Sequence, residues 1–233
     1  MPRYQQIIVS LFFFVSLLLS GVSYAAVDIA SISKAEGEVT AITPTGESRE
    51  LEKGDKVALG ETIKTGKRSQ VVMEFTDKSR FELGPKAEMN VSEFTRGNKE
   101  KKQKPTFVSK VSVGLFRFVS GLIARESPNA MKVRGAVATI GIRGTHVVGE
   151  FQGDTAKVIL LEPEGAPHPT AIDVSNQFGS VTIDEPGYGT EVPDAHSPPS
   201  PPRRMKMQMI RNMMQSLRAV QRMNVPRPRP RVH

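Results

Sequence analysis

The chain has 233 residues, 38% of them hydrophobic and 6% aromatic, with no Trp and no Cys. That composition suits one ordinary domain with appendages, or two small ones. It excludes disulfides, thiolate metal sites, a catalytic thiol and a lipid-modified cysteine. The formal charge of +8 averages over unlike regions. Residues 195–233 hold nine of the 32 Lys and Arg and no acid, and residues 1–25 hold only Arg3. What lies between has 22 bases against 24 acids. The basic character therefore belongs to a tail, and a polyanion-binding body is not implied.

The chain opens with MPRYQQ, an apolar run over 7–19 and the small-residue stretch SGVSYAA. A basic start, a short apolar stretch and a small-residue exit form a secretory leader. Ser23 and Ala25 suit the −3 and −1 positions, so cleavage is expected after Ala25. A retained anchor is the competing reading, but the run is shorter than the ~20 residues of a bilayer span. Export without cysteine fits a bacterial periplasm better than a eukaryotic secretory route. The expected location is periplasmic or secreted. The expected division is a leader over 1–25, an all-β domain over 26–193, a Pro-rich linker over 194–203 and a basic, Met-rich tail over 204–233.

From 33 to about 192 the sequence reads as short strands and turns. GEVTAI (37–42) is β-rich, and Gly54, Gly60 and Gly66 punctuate the following stretch. Val71, Met73 and Phe75 share one face of the next strand. TDKS turns the chain, Phe81 and Leu83 return it, and Met89 and Val91 share a face after another turn. Lys78 disfavours the positive φ of a two-residue primed turn, so another turn type is expected there. Period two with turns every 8 to 12 residues predicts an all-β sandwich or roll of twisted antiparallel hairpins.

Residues 96–110 carry six bases and one acid. A solvated hairpin excursion is the simpler reading, and a phosphate-contacting loop the alternative. In 111–126, Val113 and Leu115 are expected near the core, with Phe116 and Phe118 as further candidates. ATIGIRGTHVVGE (138–150) sets Gly141 and Gly144 around Arg143 in an apolar strand context. Glycine there marks a bulge or a close backbone approach. The two glycines would let backbones approach at a strand corner, Arg143 would meet carbonyls or a carboxylate, and Thr145 would start the next strand. The alternatives are a partner or ligand contact through Arg143, or a phosphate loop. The last lacks a Lys-Ser/Thr ending and a following helix.

Past Val192, PDAHSPPSPPRR reads as an extended linker. Residues 203–224 contain no Gly or Pro and place Ile210, Met213, Met214, Leu217 and Val220 on one side of a helix. Arg203, Arg204, Arg211, Arg218 and Arg222 are the candidate contact residues of this tail. Three readings stand: a solubilising tail with fluctuating helix, a helix lying on an anionic membrane or envelope surface, and a Met-rich face entering a partner groove. VPRPRPRVH cannot continue the helix.

Catalytic patterns are weak. His146, His168, His196 and His233 form no metal-ligand spacing, and Glu162 and Glu164 flank Pro163 in a turn. No nucleophile elbow or Walker pattern occurs. No catalytic residue, cofactor or metal is expected, nucleic acid is not an expected partner after export, and the oligomeric state is open.

The body resembles a FecR-like domain. The resemblance rests on GEV at 37–39, Leu51–Asp55, ETIKTGKRSQVVMEF at 61–75, LGPKAEMNV at 83–91, VATIGIRGTHVVGE at 137–150 and the closing stretch Ser175 to Val192. GIRGT is the most specific piece, and the set covers about 155 residues in order. It implies a periplasmic all-β signalling or interaction domain. Some members sit below outer-membrane siderophore receptors and pass signals to a cytoplasmic sigma factor. The sequence is read without the cytoplasmic domain and span of those members, so only the periplasmic role carries over. TDKS replaces the family's usual Asp-Gly-Ser. The resemblance points to a protein or envelope component as partner. The rival reading is an envelope structural or polyanion-binding protein acting through its tail.

Overall fold

The structure is a computed structural model. It describes residues 27–98, 100, 102–127, 129–162 and 170–223, with side chains through Leu217. The expected leader, Glu164, His168, His233 and the Pro-Arg end lie outside the described residues, as do the side chains of Arg218, Val220 and Arg222.

In chain order the strands are β1 (Asp28–Glu36), β2 (Val39–Ile42), β3 (Ser48–Glu50), β4 (Lys56–Ala58), β5 (Thr62–Thr65), β6 (Gln70–Phe75), β7 (Arg80–Leu83), β8 (Glu88–Thr95) and β9 (Thr106–Val119). A short helix α1 (Leu122–Glu126) follows. Then come β10 (Met131–Arg134), β11 (Thr139–Arg143), β12 (His146–Gln152), β13 (Thr155–Leu161), β14 (Ala171–Asn176), β15 (Gly179–Ile183) and β16 (Tyr188–Val192). β17 (Arg203–Arg204) and α2 (Met207–Met223) complete the described chain.

The all-β expectation holds. Sheet A runs β4-β1-β6-β7-β9-β12-β13-β16-β17. Sheet B runs β3-β2-β5-β8-β9-β10-β11-β14-β15. Every pairing is antiparallel except β9 with β10. The two sheets enclose one apolar core, to which nearly every strand contributes alternate residues.

The long strand β9 belongs to both sheets. Thr106 to Val113 pair with β8 in sheet B, and Gly114 to Val119 pair with β12 in sheet A. Gly114, at φ +109°, is the switch point. Its backbone conformation excludes most side chains, and a Cβ there would overlap Ala87. The switch also reverses which side chains face inward. Phe107 and Val111 are buried before it, and Phe116 and Phe118 after it. Val113, expected near the core, is 39% exposed because it falls where the register with β8 shifts. Leu115 turns outward from the main core and is buried under α2 instead. Edge, tilted and stacked contacts link Phe75, Phe107, Phe118, Phe81, Phe116 and Phe151, so the aromatic core runs through the switch.

Between β8 and β9, Asn98 bridges antiparallel to Gln103, as in a hairpin excursion. In the closing region β14 and β15 form a hairpin in sheet B, while β16 crosses to sheet A.

The TDKS turn departs from its expectation in an instructive way. Lys78 N–H donates to Phe75 O at 2.9 Å, Phe75 N–H donates to Ser79 O at 2.9 Å, and Lys78 has φ 70°. This is a three-residue hairpin closing on a left-handed residue. The turn type is not the primed one, as expected, but Lys78 still adopts the positive φ that its side chain disfavours. Buried Asp77 compensates, accepting from Ser79 N–H at 3.0 Å and Ser79 Oγ–H at 2.7 Å. Ser79 Oγ in turn accepts from Gly121 N–H at 3.0 Å, tying the hairpin to α1. Lys78→Gly is expected to stabilise the protein by up to about 1 kcal/mol by relieving the left-handed cost; a urea midpoint at or below that of the parent would refute this.

The Pro-rich stretch is not a free linker. Ser200 N–H donates to Glu191 O at 2.9 Å, Thr190 Oγ–H donates to Ser200 O at 2.6 Å, and Asn176 Nδ2–H donates to Ser197 O at 2.8 Å. Asp194 closes its first turn, and its carboxyl is held below the usual range by the His196 backbone N–H and the Ser197 hydroxyl. The extended backbone that proline favours has been laid along edge strand β16. β17 continues this pairing, with Arg203 opposite Gly189 and Arg204 opposite Tyr188. α2 then crosses the outer face of sheet A. Met213 and Leu217 are buried against Leu115, Val148 and Ile159, with Met209, Ile210 and Met214 packed alongside. The apolar stripe expected of the helix is thus the one that docks, and its groove lies on the chain itself.

Candidate functional site

GIRGT sits where the chain leaves sheet B for sheet A. β11 ends at Arg143, β12 begins at His146, and Gly144 turns the corner at φ +60°. Thr145 is buried inside that corner, where its carbonyl accepts from Ser120 N–H at 3.1 Å. Buried His146 opens β12 as a strand residue. Gly141 plays a different part from the one expected. It has no positive φ, and a Cβ there would meet Asp173 only at ordinary contact distance. Its effect is to leave the outer face of sheet B low at that point.

Arg143 finds a carboxylate. Its guanidinium donates to Asp173 Oδ1 at 2.7 Å, and Thr182 Oγ–H donates to the same oxygen at 2.6 Å. Pairing explains the encounter: Asp173 lies opposite Gly141 and Thr182. Arg143 is therefore the diagonal neighbour of Asp173 across the strand pair. Both side chains keep more than a third of their surface exposed, 37% and 39%. Solvent screens such a pair, so Arg143→Ala should cost no more than about 1 kcal/mol. Thermal melting measures that cost. Unchanged melting with lost partner binding would instead assign Arg143 to a contact.

Around this corner the outer face of sheet B is polar, and no helix among the described residues covers it. Lys132 lies opposite Gly141, Arg134 opposite Thr139, and Lys110 beside Arg134 on β9. All three bases are exposed. Asp173 and Thr182, which complete the Arg143 constellation, were not singled out in the sequence. The one signal for Asp173 was a polar residue in the alternating strand AIDVSN.

On the outer face of sheet A, beside α2, an open groove of about 330 Å³ is lined by Lys34, Gln70, Glu74, Arg80, Glu82 and Arg117, among others. Gln70 Nε2–H donates to Glu82 Oε1 at 2.8 Å, and Arg117 approaches Glu82 at 3.7 Å. Opposite charges compensate one another here, and the lining contains no His or thiol to serve as a base or nucleophile. Among the described residues no three His, Asp or Glu side chains converge as a metal site. No helix among them is long and apolar enough to cross a membrane.

The tail arginines divide. Arg203 donates to Glu191 Oε2 at 2.7 Å and helps to hold β17 in place. Arg204 and Arg211 are exposed. α2 carries Arg218 and Arg222 in its last turns.

No family model matches the chain, and no curated protein matches it. Two solved structures share its fold. Both are crystal structures described as a "putative anti-sigma factor" from Parabacteroides distasonis ATCC 8503. Each aligns with a TM-score of 0.50 at 12% identity, over 66% of this chain and 64% of the other. The chain thus spans under two thirds of the length of the structures it resembles. At that identity the likeness concerns the fold.

Proposed function

We propose that this chain is an exported, non-enzymatic interaction module of the FecR type, acting in signalling by binding a protein or envelope component in the periplasm. The observation that carries the reading is the arrangement of sheet B. Its most motif-specific corner presents half-exposed Arg143 on one face with Lys110, Lys132 and Arg134, and no helix among the described residues covers that face, while α2 covers the outer face of sheet A. An open polar β-surface suits contact with a macromolecule better than enclosure of a small substrate. The ordered FecR-like motifs and a fold shared with a described anti-sigma factor support a regulatory role.

The test is a crosslinking pull-down from the native envelope, comparing the parent chain with Lys132→Glu/Arg134→Glu. Loss of the captured partner with unchanged melting supports the reading. Full retention of capture by the charge-reversed face would sink it, as would turnover of envelope glycans by the purified protein. The rival, a polyanion binder acting through its tail, predicts instead that Arg211→Glu abolishes capture while Lys132→Glu/Arg134→Glu leaves it intact. The docking of α2 through Met213 and Leu217 weighs against that rival, because it gives the helix a structural task.

A further inference from the structure

A two-sheet sandwich has four edges, and an edge strand with unpaired N–H and C=O groups invites another strand. Three of the four are closed. β3 is three residues long, all exposed, and carries Arg49 and Glu50. β4 is also three residues long, and side chains take its backbone groups: Arg49 donates to Lys56 O at 2.7 Å, and Ala58 N–H donates to Glu61 Oε2 at 2.8 Å. Arg49 also pairs with Glu61 at 3.0 Å, so one ion pair seals both edges at that end. β17 is two residues long, follows Pro201–Pro202 and leads directly into α2.

The fourth edge is β15, Gly179-Ser180-Val181-Thr182-Ile183. It has no charge, no proline and no bulge, and no described side chain is hydrogen-bonded to its outer backbone. Its hairpin closes at Asn176 opposite Gly179. Antiparallel alternation then turns the N–H and C=O of Ser180 and Thr182 away from β14. Both of these residues are exposed.

We infer that β15 pairs antiparallel with β15 of a second copy of this chain, about a two-fold axis at Val181, making sheet B continuous across a dimer. The strand is self-complementary in that register. Ser180 of each copy meets Thr182 of the other as a hydrogen-bonded pair, and Val181 faces its own counterpart. Asp184 falls opposite Phe178 and Glu185 opposite Gln177, so no like charges meet across the axis. Phe178, 43% exposed at the hairpin tip, gains cover at each end of the new ladder. A closed two-fold contact uses the same surface on both copies.

The register gives a sharp test, because the chain has no native cysteine. Val181 and its symmetry mate form the non-hydrogen-bonded pair, with Cα atoms about 4.5 Å apart, inside disulfide range. Under mild oxidation at high protein concentration, Val181→Cys should crosslink at least about tenfold faster than Thr182→Cys, whose mates lie two positions out of register. Independently, sedimentation of the unmodified full chain should show a dimer fraction rising with concentration. Ser180→Lys, which places a charge on the edge, should lower the association constant about tenfold without changing the melting temperature of the dilute, monomeric chain. A chain that sediments as a monomer at every concentration would overturn the inference. So would a dimer indifferent to Ser180→Lys, or equal crosslinking at 181 and 182. A strand from a different protein occupying this edge would show as the first of these results.

Discussion

Removing residues 196–233 is expected to cost the body several kcal/mol, even though composition marks them as an appendage. The truncation strips β17 from β16 and uncovers Leu115, Val148 and Ile159, all of which are buried under Met205, Met213 and Leu217. It also removes the Ser197 and Ser200 hydrogen bonds that hold the β14–β15 turn and β16. One substitution reproduces much of the effect. Leu217 is fully buried, and a Cβ added to Gly84 would sit 3.3 Å from its Cδ2. Leu217→Ala should cost about 2–5 kcal/mol, and Leu217→Asp more, because a carboxylate would have to leave water. Urea titration measures both, and binding of an environment-sensitive dye should report the uncovered sheet in the truncated chain. A truncated body with parental stability and no dye binding would mean that α2 is only loosely held. The practical consequence is that deletion cannot separate a binding role of the tail from a folding role, whereas exposed Arg211 can be reversed without touching the apolar contact.

Gly114→Val should be severely damaging, with a loss above about 4 kcal/mol or no folded protein at all. Two costs coincide. A β-branched residue is strongly disfavoured at φ +109°, and its Cβ would overlap Ala87. The Ala87 side chain's share can be isolated. Ala87→Gly removes the contact with the Ala87 Cβ but leaves its backbone Cα 2.6 Å away and the positive φ in place, so the double variant Gly114→Ala/Ala87→Gly should recover only part of the loss shown by Gly114→Ala. The cycle is read by chemical denaturation of the four proteins. If Gly114→Val melts with the parent, β9 does not switch sheets through this residue. The role explains why Val113 and Leu115 escape the simple alternation on either side of it.

The resemblance and the structure meet most directly at GIRGT. Sequence reasoning placed a corner there, with Arg143 meeting carbonyls or a carboxylate, because glycine and arginine make poor neighbours in a buried strand. The corner joins the two sheets, and Gly144 carries the turn. Asp173 could not be named beforehand, since it lies 30 residues away and comes opposite Gly141 only once β11 pairs with β14. The edge caps were hidden for the same reason: Arg49, Glu61 and the β4 backbone meet across a chain reversal.

Alternation in QVVMEF, RFEL and EMNV, turn chemistry around the glycines and the apolar stripe of α2 were all legible, because each rests on conformational preferences and side-chain spacing within a few residues. They determined an all-β body with a helix after it. Whether a strand joins sheet A or sheet B, where β9 changes sheets, which edges are sealed and that Met213 and Leu217 settle on the chain's own sheet were decided only in three dimensions. Those outcomes depend on pairings between residues far apart in the chain, whose free energy comes from joint burial and shared hydrogen bonds that no single segment contains.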